Sequence, residues 1–432
     1  MTLYWFRRDL RLHDNHALHQ ALSQKGPVQC VFIFDRYILD QLTEDDFRLP
    51  YIYQQIVKIK QSLQKQGSDL WVFYGKPEEI WQDLLKTHPV AKVFINHDYE
   101  PYARERDRKV AQLLNKKKIA FHSYKDQVIF EKSEVLSDSH KTYTVFTPFK
   151  NKWLKQLDKS LLQNYNCEIK NFNSNKVKSE LISLKDLGFK ERADDFFPTR
   201  NLSPSLLKKY SKERDFPALE ATSHFGIHLR FGTVSVRELV KTALNLKSDV
   251  WLSELIWREF FMQILWHFPE VQIRSFRVEY EKIEWRKNAN EFKKWCEGKT
   301  GYPLVDAGMR QLNATGYMHN RVRMVAASFL TKHLLMHWSL GERYFASKLL
   351  DFDLAANNGN WQWTAGTGCD AAPYFRIFNP ETQAEKFDSK NEYIKKWLPE
   401  FGTAKYPEKM VDHVFARERA LTAFRKGLGK TE

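Results

Sequence analysis

Five short β-branched or aromatic runs, Leu3–Phe6, Val28–Phe34, Leu70–Tyr74, Lys92–Asn96 and Ile119–His122, punctuate the first 125 residues, separated by the helical stretches His16–Ser23, Asp46–Lys65, Pro77–Lys86 and Glu105–Lys117. Strands joined through single helices cannot pair as hairpins. They form βαβ units, and hence a parallel sheet covered by helices on both faces. This predicts a doubly wound, Rossmann-like α/β domain over residues 1–130, whose ligands lie beyond the carboxyl ends of the strands. No G-x-G-x-x-G follows the first run and there is no P-loop, so an ordinary dinucleotide or nucleoside triphosphate site is not expected there.

From 131 to 199 the periodicity weakens and Lys, Asn and Ser dominate, as in Asn171-Phe172-Asn173-Ser174-Asn175-Lys176. This reads as a long surface connector with one short helix around Phe149–Leu157. After Leu202 strand signals vanish. Val250–Phe268 and Met318–Trp338 are long and helically patterned, and Ala416–Lys430 reads as a last helix that frays. Residues 200–432 are therefore predicted to form an all-helical domain.

A formal net charge of +15 and an aromatic content of 14% suit a nucleic-acid binder, because cations meet phosphates and rings stack on exposed bases. A basic surface kept for solubility accounts for the charge equally well. Cys30, Cys167, Cys296 and Cys369 are scattered without zinc-ligand spacing and read as free thiols of a reducing compartment. The charged start, Met1 to Asp9, lacks a signal h-region, and no apolar run reaches about 18 residues. A soluble cytoplasmic protein with no membrane span is expected. H-E-x-x-H and G-x-S-x-G are absent, which disfavours zinc-peptidase and serine-hydrolase chemistry.

Four constellations could carry chemistry. In Leu354–Trp363, two tryptophans flank Gln362 just after Asn357-Asn358-Gly359. Rings and amides this dense suit a flat conjugated ligand, and Gly and Asn here predict an irregular loop. A tryptophan-rich core corner is the bland alternative. Glu254, Trp257 and Arg258 fall at i, i+3 and i+4, with Trp251 one turn earlier, so they share a helix face. That stripe could grip a planar ligand near a phosphate, or be an ion pair beside a core indole. In Met318–Met324, Asn320 and Met324 stack while Arg321 and Arg323 diverge. One of the two arginines is expected to meet solvent or phosphate, the other Asp351 or Asp353. Trp285, Trp295, Trp338 and Trp361 are core residues unless they stand in line for electron transfer.

Together these residues resemble the photolyase/cryptochrome flavoproteins along nearly the whole chain. The likeness runs through Trp5-Phe6-Arg7-Arg8-Asp9-Leu10-Arg11, Trp257-Arg258-Glu259-Phe260, Thr300–Ala307, Asn358-Gly359-Asn360-Trp361-Gln362-Trp363 and Tyr374–Pro380. The resemblance implies an amino-terminal antenna domain, a linker and a helical domain holding FAD. It implies light-driven repair, in which excited reduced FAD donates an electron to a pyrimidine dimer flipped out of DNA, splitting it. Asn320 with Met324, and the amide Asn357 at the position facing flavin N5, are similar to class I cyclobutane pyrimidine dimer photolyases. The (6-4) photolyases have a histidine pair where this chain has only His319. No long tail follows the helical domain, so a signalling photoreceptor is not expected.

By the same resemblance, Glu254 and Asn320 bond the dimer's base edges, Trp257 and Trp363 wall its pocket, and Met324 lines it. Arg214, Arg258, Arg321 and Arg376 match positions that contact DNA phosphates. Tyr210, Thr222, Ser223, His224, Phe225, Gly226 and Trp251 match the FAD cradle. Arg323 and Asp351 match an ion pair against the flavin ring, which Asp353 also touches. Trp361, Trp338 and Trp285 match an electron-transfer triad. Two departures stand out. His224-Phe225-Gly226 replaces the usual Arg-Leu-Ser of the phosphate cradle, which implies weaker FAD binding. Tyr102-Ala103 stands where folate-binding members show Asn-Glu. The implied antenna chromophore is 8-hydroxy-deazaflavin, another flavin, or none, rather than folate. The implied partner is ultraviolet-damaged DNA, bound by a monomer.

Overall fold

The computed structural model describes residues 1–167, 172–173, 179–193 and 196–430. Its chain divides into two compact units. The first comprises Met1–Val135, Trp153–Asn201 and His224–Asn245; the second comprises Leu136–Lys152, Leu202–Ser223 and Leu246–Glu432.

In the first unit the strands β1 (Thr2–Phe6), β2 (Val28–Asp35), β3 (Leu70–Gly75), β4 (Lys92–Asn96) and β5 (Ala120–Tyr124) form a parallel sheet of order β3-β2-β1-β4-β5. The register places Tyr4 opposite Cys30 and Phe94, and Phe34 opposite Tyr74. Every residue of β1 and β2 is buried, as expected for central strands covered on both faces. Trp5, Val31 and Ile33 pack with Trp81, Leu84, Val110 and Leu114 from the crossover helices. Chain order reverses at β1, where a doubly wound sheet opens its ligand crevice. Asn15 caps the helix His16–Leu22 by accepting from the Leu18 amide, and prolines start the helices Pro77–Thr87 and Pro101–Lys116.

The sheet follows the sequence pattern closely, but the expected boundaries at 130 and 199 do not coincide with the compact units. Segment 224–245, expected in the helical domain, belongs to the first unit. The cause is a buried charge network. Arg11 pairs with Asp126 at 2.6 Å, while Arg237 pairs with Asp126 at 2.8 Å and with Asp14 at 3.0 Å. Removing one member of such a network costs about 3–5 kcal/mol, because it strands a buried charge. A partnership across more than a hundred residues leaves no local trace. Residues 168–171, 174–178 and 194–195 of the expected connector lie outside the described residues. Its expected helix runs Phe146–Gln156.

The second unit is helical, and no strand occurs there among the described residues. Its core gathers Trp295, Tyr302, Met309, Leu312, Phe329, Trp338, Phe345 and Trp361. Asp249–His267 is apolar around most of its circumference and is buried on most sides. Met318–Trp338 is not one helix. Asn320–Ser328 runs into a π-turn at Phe329–His333, Leu335 takes φ 49°, and a new helix starts at Trp338. The expected loop at Leu354–Trp363 is also corrected, because Leu354–Ala365 is a helix. Asp353 caps it, Gly366 ends it at φ 87°, and Gly359 lets the Phe261 ring approach to where a Cβ would lie 2.1 Å away. Glycine here serves close packing rather than a turn. Among the described residues no helix is long and apolar enough to cross a membrane.

Burial makes acid a specific threat to both units. His228 in the first unit is pushed down to about 4, as is His319 in the second. His333, 2.8 Å from His413, is pushed to about 3. In each case desolvation disfavours the imidazolium. A depressed histidine binds fewer protons folded than unfolded. Its contribution is therefore intact above about pH 6.5 and falls as pH drops towards the folded value, by about 2 kcal/mol per group at about pH 5. The denaturant midpoint should drop sharply between about pH 7.5 and about pH 5. An unchanged midpoint would mean that these rings are not held neutral.

Candidate active site and its relatives

The second unit gathers most of the residues singled out in the sequence. On Asp249–His267, Ser253, Glu254, Trp257 and Arg258 form a half-exposed stripe on an otherwise buried stretch. Trp257 stacks on Phe146 with ring centroids 3.6 Å apart and planes 7° apart, and also packs against Phe261 at 5.4 Å and Phe260 at 5.6 Å. Trp251 is buried and directs Nε1 to the Ser223 hydroxyl at 3.3 Å. Glu254 forms a salt bridge with Arg214, which follows the helix Pro204–Glu213. The next residue, Asp215, accepts from Arg321 at 2.8 Å. The dipeptide Arg214-Asp215 thus ties Glu254 to the Asn320–Ser328 helix. There Asn320 is exposed, Met324 is half-buried, and the Arg321 guanidinium lies 4.3 Å from the Phe387 ring.

The choice between Asp351 and Asp353 is resolved by geometry. Arg323 bonds both Asp351 oxygens, at 3.0 and 3.2 Å, and the Met318 carbonyl at 2.7 Å. Asp353 instead accepts from the Ala356 amide as the helix cap. Asn357 donates Nδ2 to the Glu342 carboxylate at 2.8 Å and to its carbonyl at 3.1 Å. Burial pushes the Glu342 carboxyl up, and the Asn357 bond opposes that shift. Tyr210 is buried, which raises its phenol, and Arg214 stands 5.3 Å over its ring. Thr222 lies 3.0 Å from the Tyr317 hydroxyl. His224, Phe225 and Gly226 belong to the first unit, where His224 takes φ 54° and Gly226 begins the short helix Gly226–Arg230. Trp363 is half-buried, and Arg376 is exposed, 5.6 Å from the Phe378 ring.

Two amides expected to read a ligand edge do something else. Gln362 Nε2 donates to the Val271 carbonyl at 2.8 Å while its Oε1 accepts from the Phe276 amide at 2.8 Å. Asn358 donates to the same Val271 carbonyl at 3.0 Å. Both are buried and satisfy backbone groups of Val271 and Phe276, pinning the 268–276 segment.

The three tryptophans that the resemblance matched to a triad differ in setting. Trp361 is buried against Phe345 at 4.9 Å and Trp295 at 6.1 Å, in space that Gly341 leaves open. Trp338 is fully buried. Trp285 is half-buried beside Phe424 at 5.7 Å and His337 at 5.5 Å. Sequence reasoning missed Phe146, Asp215, Tyr317 and Glu342. Each acts through a partner distant in sequence, so spacing gave no sign of it. In the first unit Tyr102 donates to Asp35 at the end of β2, at 2.5 Å.

Residues 2–166 match the family described as DNA photolyase, and residues 251–404 match the FAD binding domain of DNA photolyase. A deoxyribodipyrimidine photo-lyase of Vibrio cholerae is 36% identical, aligned over 99% of this chain and 100% of its own length. A bacterial class III photolyase from Agrobacterium tumefaciens is similar in structure at TM-score 0.87 and 33% identity, covering 100% of this chain and 98% of its own. An archaeal photolyase from Sulfolobus tokodaii, solved with two FAD molecules, is similar at TM-score 0.82 and 32% identity, over 98% of this chain and 99% of its own. The chain belongs to the DNA photolyase family.

FAD fits the residues present. Hydroxyls at Thr222 and Ser223 suit phosphates, the Arg323–Asp351 pair suits the polar edge of a flavin, and Glu342 fixes the Asn357 amide. The flavoprotein assignment follows from the FAD-binding family match.

Proposed function

We propose that this chain is a class I deoxyribodipyrimidine photo-lyase that splits cyclobutane pyrimidine dimers in DNA under blue light. The observation that carries this reading is the tie through Arg214-Asp215, which joins the Glu254–Trp257–Arg258 stripe to the Asn320–Met324 segment. Bound and reduced FAD supplies the light-driven electron. Everything else falls to the chain. Trp257, already stacked on Phe146, offers a rigid wall on which a flipped dimer rests, and Trp363 and Met324 complete that lining. Glu254 and Asn320 bond the base edges, and these bonds strengthen as the dimer gains negative charge. Tyr210, Trp251, Thr222 and Ser223 hold the cofactor, with Arg323, Asp351, Asp353 and Asn357 around its ring. Trp361, Trp338 and Trp285 carry electrons inward when FAD is oxidised. Tyr102, on the helix Pro101–Lys116 and bonded to Asp35 at the end of β2, favours a deazaflavin, a second flavin or no antenna over folate. The protein works as a monomer in the cytoplasm, at the nucleoid if bacterial.

Arg214, Arg258, Arg321 and Arg376 contact phosphates in this reading. Four full contacts to a single strand would give a slope of log affinity against log salt of about −2.8. Arg214 and Arg321 already have carboxylate partners, so each counts for less than a full charge. The expected slope is shallower than that value but clearly negative, with ultraviolet-irradiated oligothymidine bound far more tightly than unirradiated. Titration by fluorescence anisotropy at several salt concentrations measures it. Equal affinity for both oligonucleotides would overturn the proposed substrate.

A further inference from the structure

One histidine packs against both Trp338 and Trp285, the proposed middle and outer tryptophans. The His337 ring centroid is 5.3 Å from that of Trp338 and 5.5 Å from that of Trp285. His337 is also the cap of the helix Trp338–Lys348. Its Nδ1 accepts from the Ser339 amide at 3.2 Å and lies 2.8 Å from the Ser339 hydroxyl. A ring nitrogen that accepts an amide carries no proton, so while the cap holds, the ring is the neutral Nε2–H tautomer. Trp338 Nε1 is buried without a hydrogen-bond partner. An oxidised Trp338 therefore keeps its N–H proton, and its positive charge is relieved only by an arriving electron.

We propose that His337 gates electron flow along the row: the neutral imidazole lets the positive hole pass from Trp361 to Trp338 and on to Trp285, and the imidazolium blocks its exit from Trp361. This rests on the assignment of those three residues as the electron-transfer route. The hole enters when oxidised flavin under light takes one electron from Trp361. One electron then moves from Trp338 to Trp361 and one from Trp285 to Trp338, with no bond made or broken. The half-exposed Trp285 finally releases its N–H proton to water. Because His337 is almost equidistant from the two outer rings, its charge raises the cost of a hole on both alike. The last step is then little affected. The step out of Trp361 is the one that closes, and the hole returns to the flavin instead.

The surroundings set where the gate closes. Burial lowers the His337 pKa, with Arg343 acting the same way and Glu281, from the Val278–Lys282 turn, opposing both. The start of a helix also disfavours a cation. From the His413–Gly427 helix, Phe424 touches Trp285, and the buried Lys332 ammonium, depressed by desolvation, sits 3.6 Å over that Phe424 ring. The exposed Lys426–Glu284 pair, at 2.9 Å, completes the charged groups on that side. Closing is thus expected below the usual histidine range.

Flash photolysis of the oxidised holoprotein tests this, following the long-lived tryptophan radical from about pH 8 to about pH 5. The expected yield falls at least about fivefold in a single-proton step. His337→Asn keeps a cap acceptor and cannot be protonated, so its yield should show no such step. Nitrogen-15 NMR of the wild-type protein in the dark should show the Nε2–H tautomer and the same midpoint, which needs no variant to fold. A step that persists in His337→Asn, or an NMR midpoint unlike the kinetic one, overturns the gate. If Trp338→Phe leaves the long-lived radical intact, the route itself is wrong. An intact route without a pH step in the wild type refutes the gate alone.

Discussion

Replacing Trp361 by Phe should lower light-driven reduction of oxidised FAD by about two orders of magnitude or more, equivalent to roughly 3 kcal/mol on the barrier, while chemically reduced protein repairs dimers at the wild-type rate. Benzene rings are much harder to oxidise than indoles, so a phenyl group in place of the indole cannot pass an electron to the flavin. The smaller ring retains most of the contact with Phe345 and with the space over Gly341, so the fold should survive with a cost of about 1–2 kcal/mol. Trp295, 6.1 Å from Trp361 and fully buried, is not among the three tryptophans proposed to carry electrons, so it is not expected to substitute. The absorbance of oxidised flavin under blue light with an external donor is the measurement. Undiminished bleaching in the variant would remove Trp361 from the route.

The second large effect concerns Glu254. Glu254→Ala should reduce repair per bound dimer by about tenfold to a hundredfold, the scale expected when a group aimed at developing charge is removed. DNA affinity should hold or rise slightly. The reason lies in Arg214, whose guanidinium is paired with Glu254 in the free protein. Without that carboxylate it becomes a stronger phosphate ligand. Glu254→Gln keeps a hydrogen-bonding edge and should fall between wild type and Ala. Quantum yield under saturating lesion, measured beside the dissociation constant, separates the two roles. A collapse in affinity with unchanged yield per bound dimer would make Glu254 a binding residue only.

The parallel sheet was legible because its signal is local. β-branched and aromatic runs buried on both faces, such as Val28–Asp35, admit few other states. The four-residue helix Arg36–Leu39 escaped notice because one turn shows no periodicity. The Asn357-Asn358-Gly359 run read as a turn on propensity, and tertiary packing against Phe261 overrode it. The candidate site was legible in part. Shared helix faces placed Glu254 with Trp257 and Asn320 with Met324. The partners found in the structure, Arg214 for Glu254, Phe146 for Trp257, Asp215 for Arg321 and Glu342 for Asn357, come from other elements, and pairing at such separations has no sequence period. Gln362 shows the converse error: a polar side chain beside two tryptophans suggested a ligand, yet it satisfies the backbone of 271–276.

The most direct test is dimer repair itself. Reduced holoprotein is mixed with ultraviolet-irradiated oligothymidine, and recovery of thymine absorbance is followed under blue light and in darkness. Recovery in light and none in darkness is the expected result. No recovery in light, with FAD confirmed bound and reduced, would contradict the proposed activity and direct attention to the (6-4) photoproduct or to signalling.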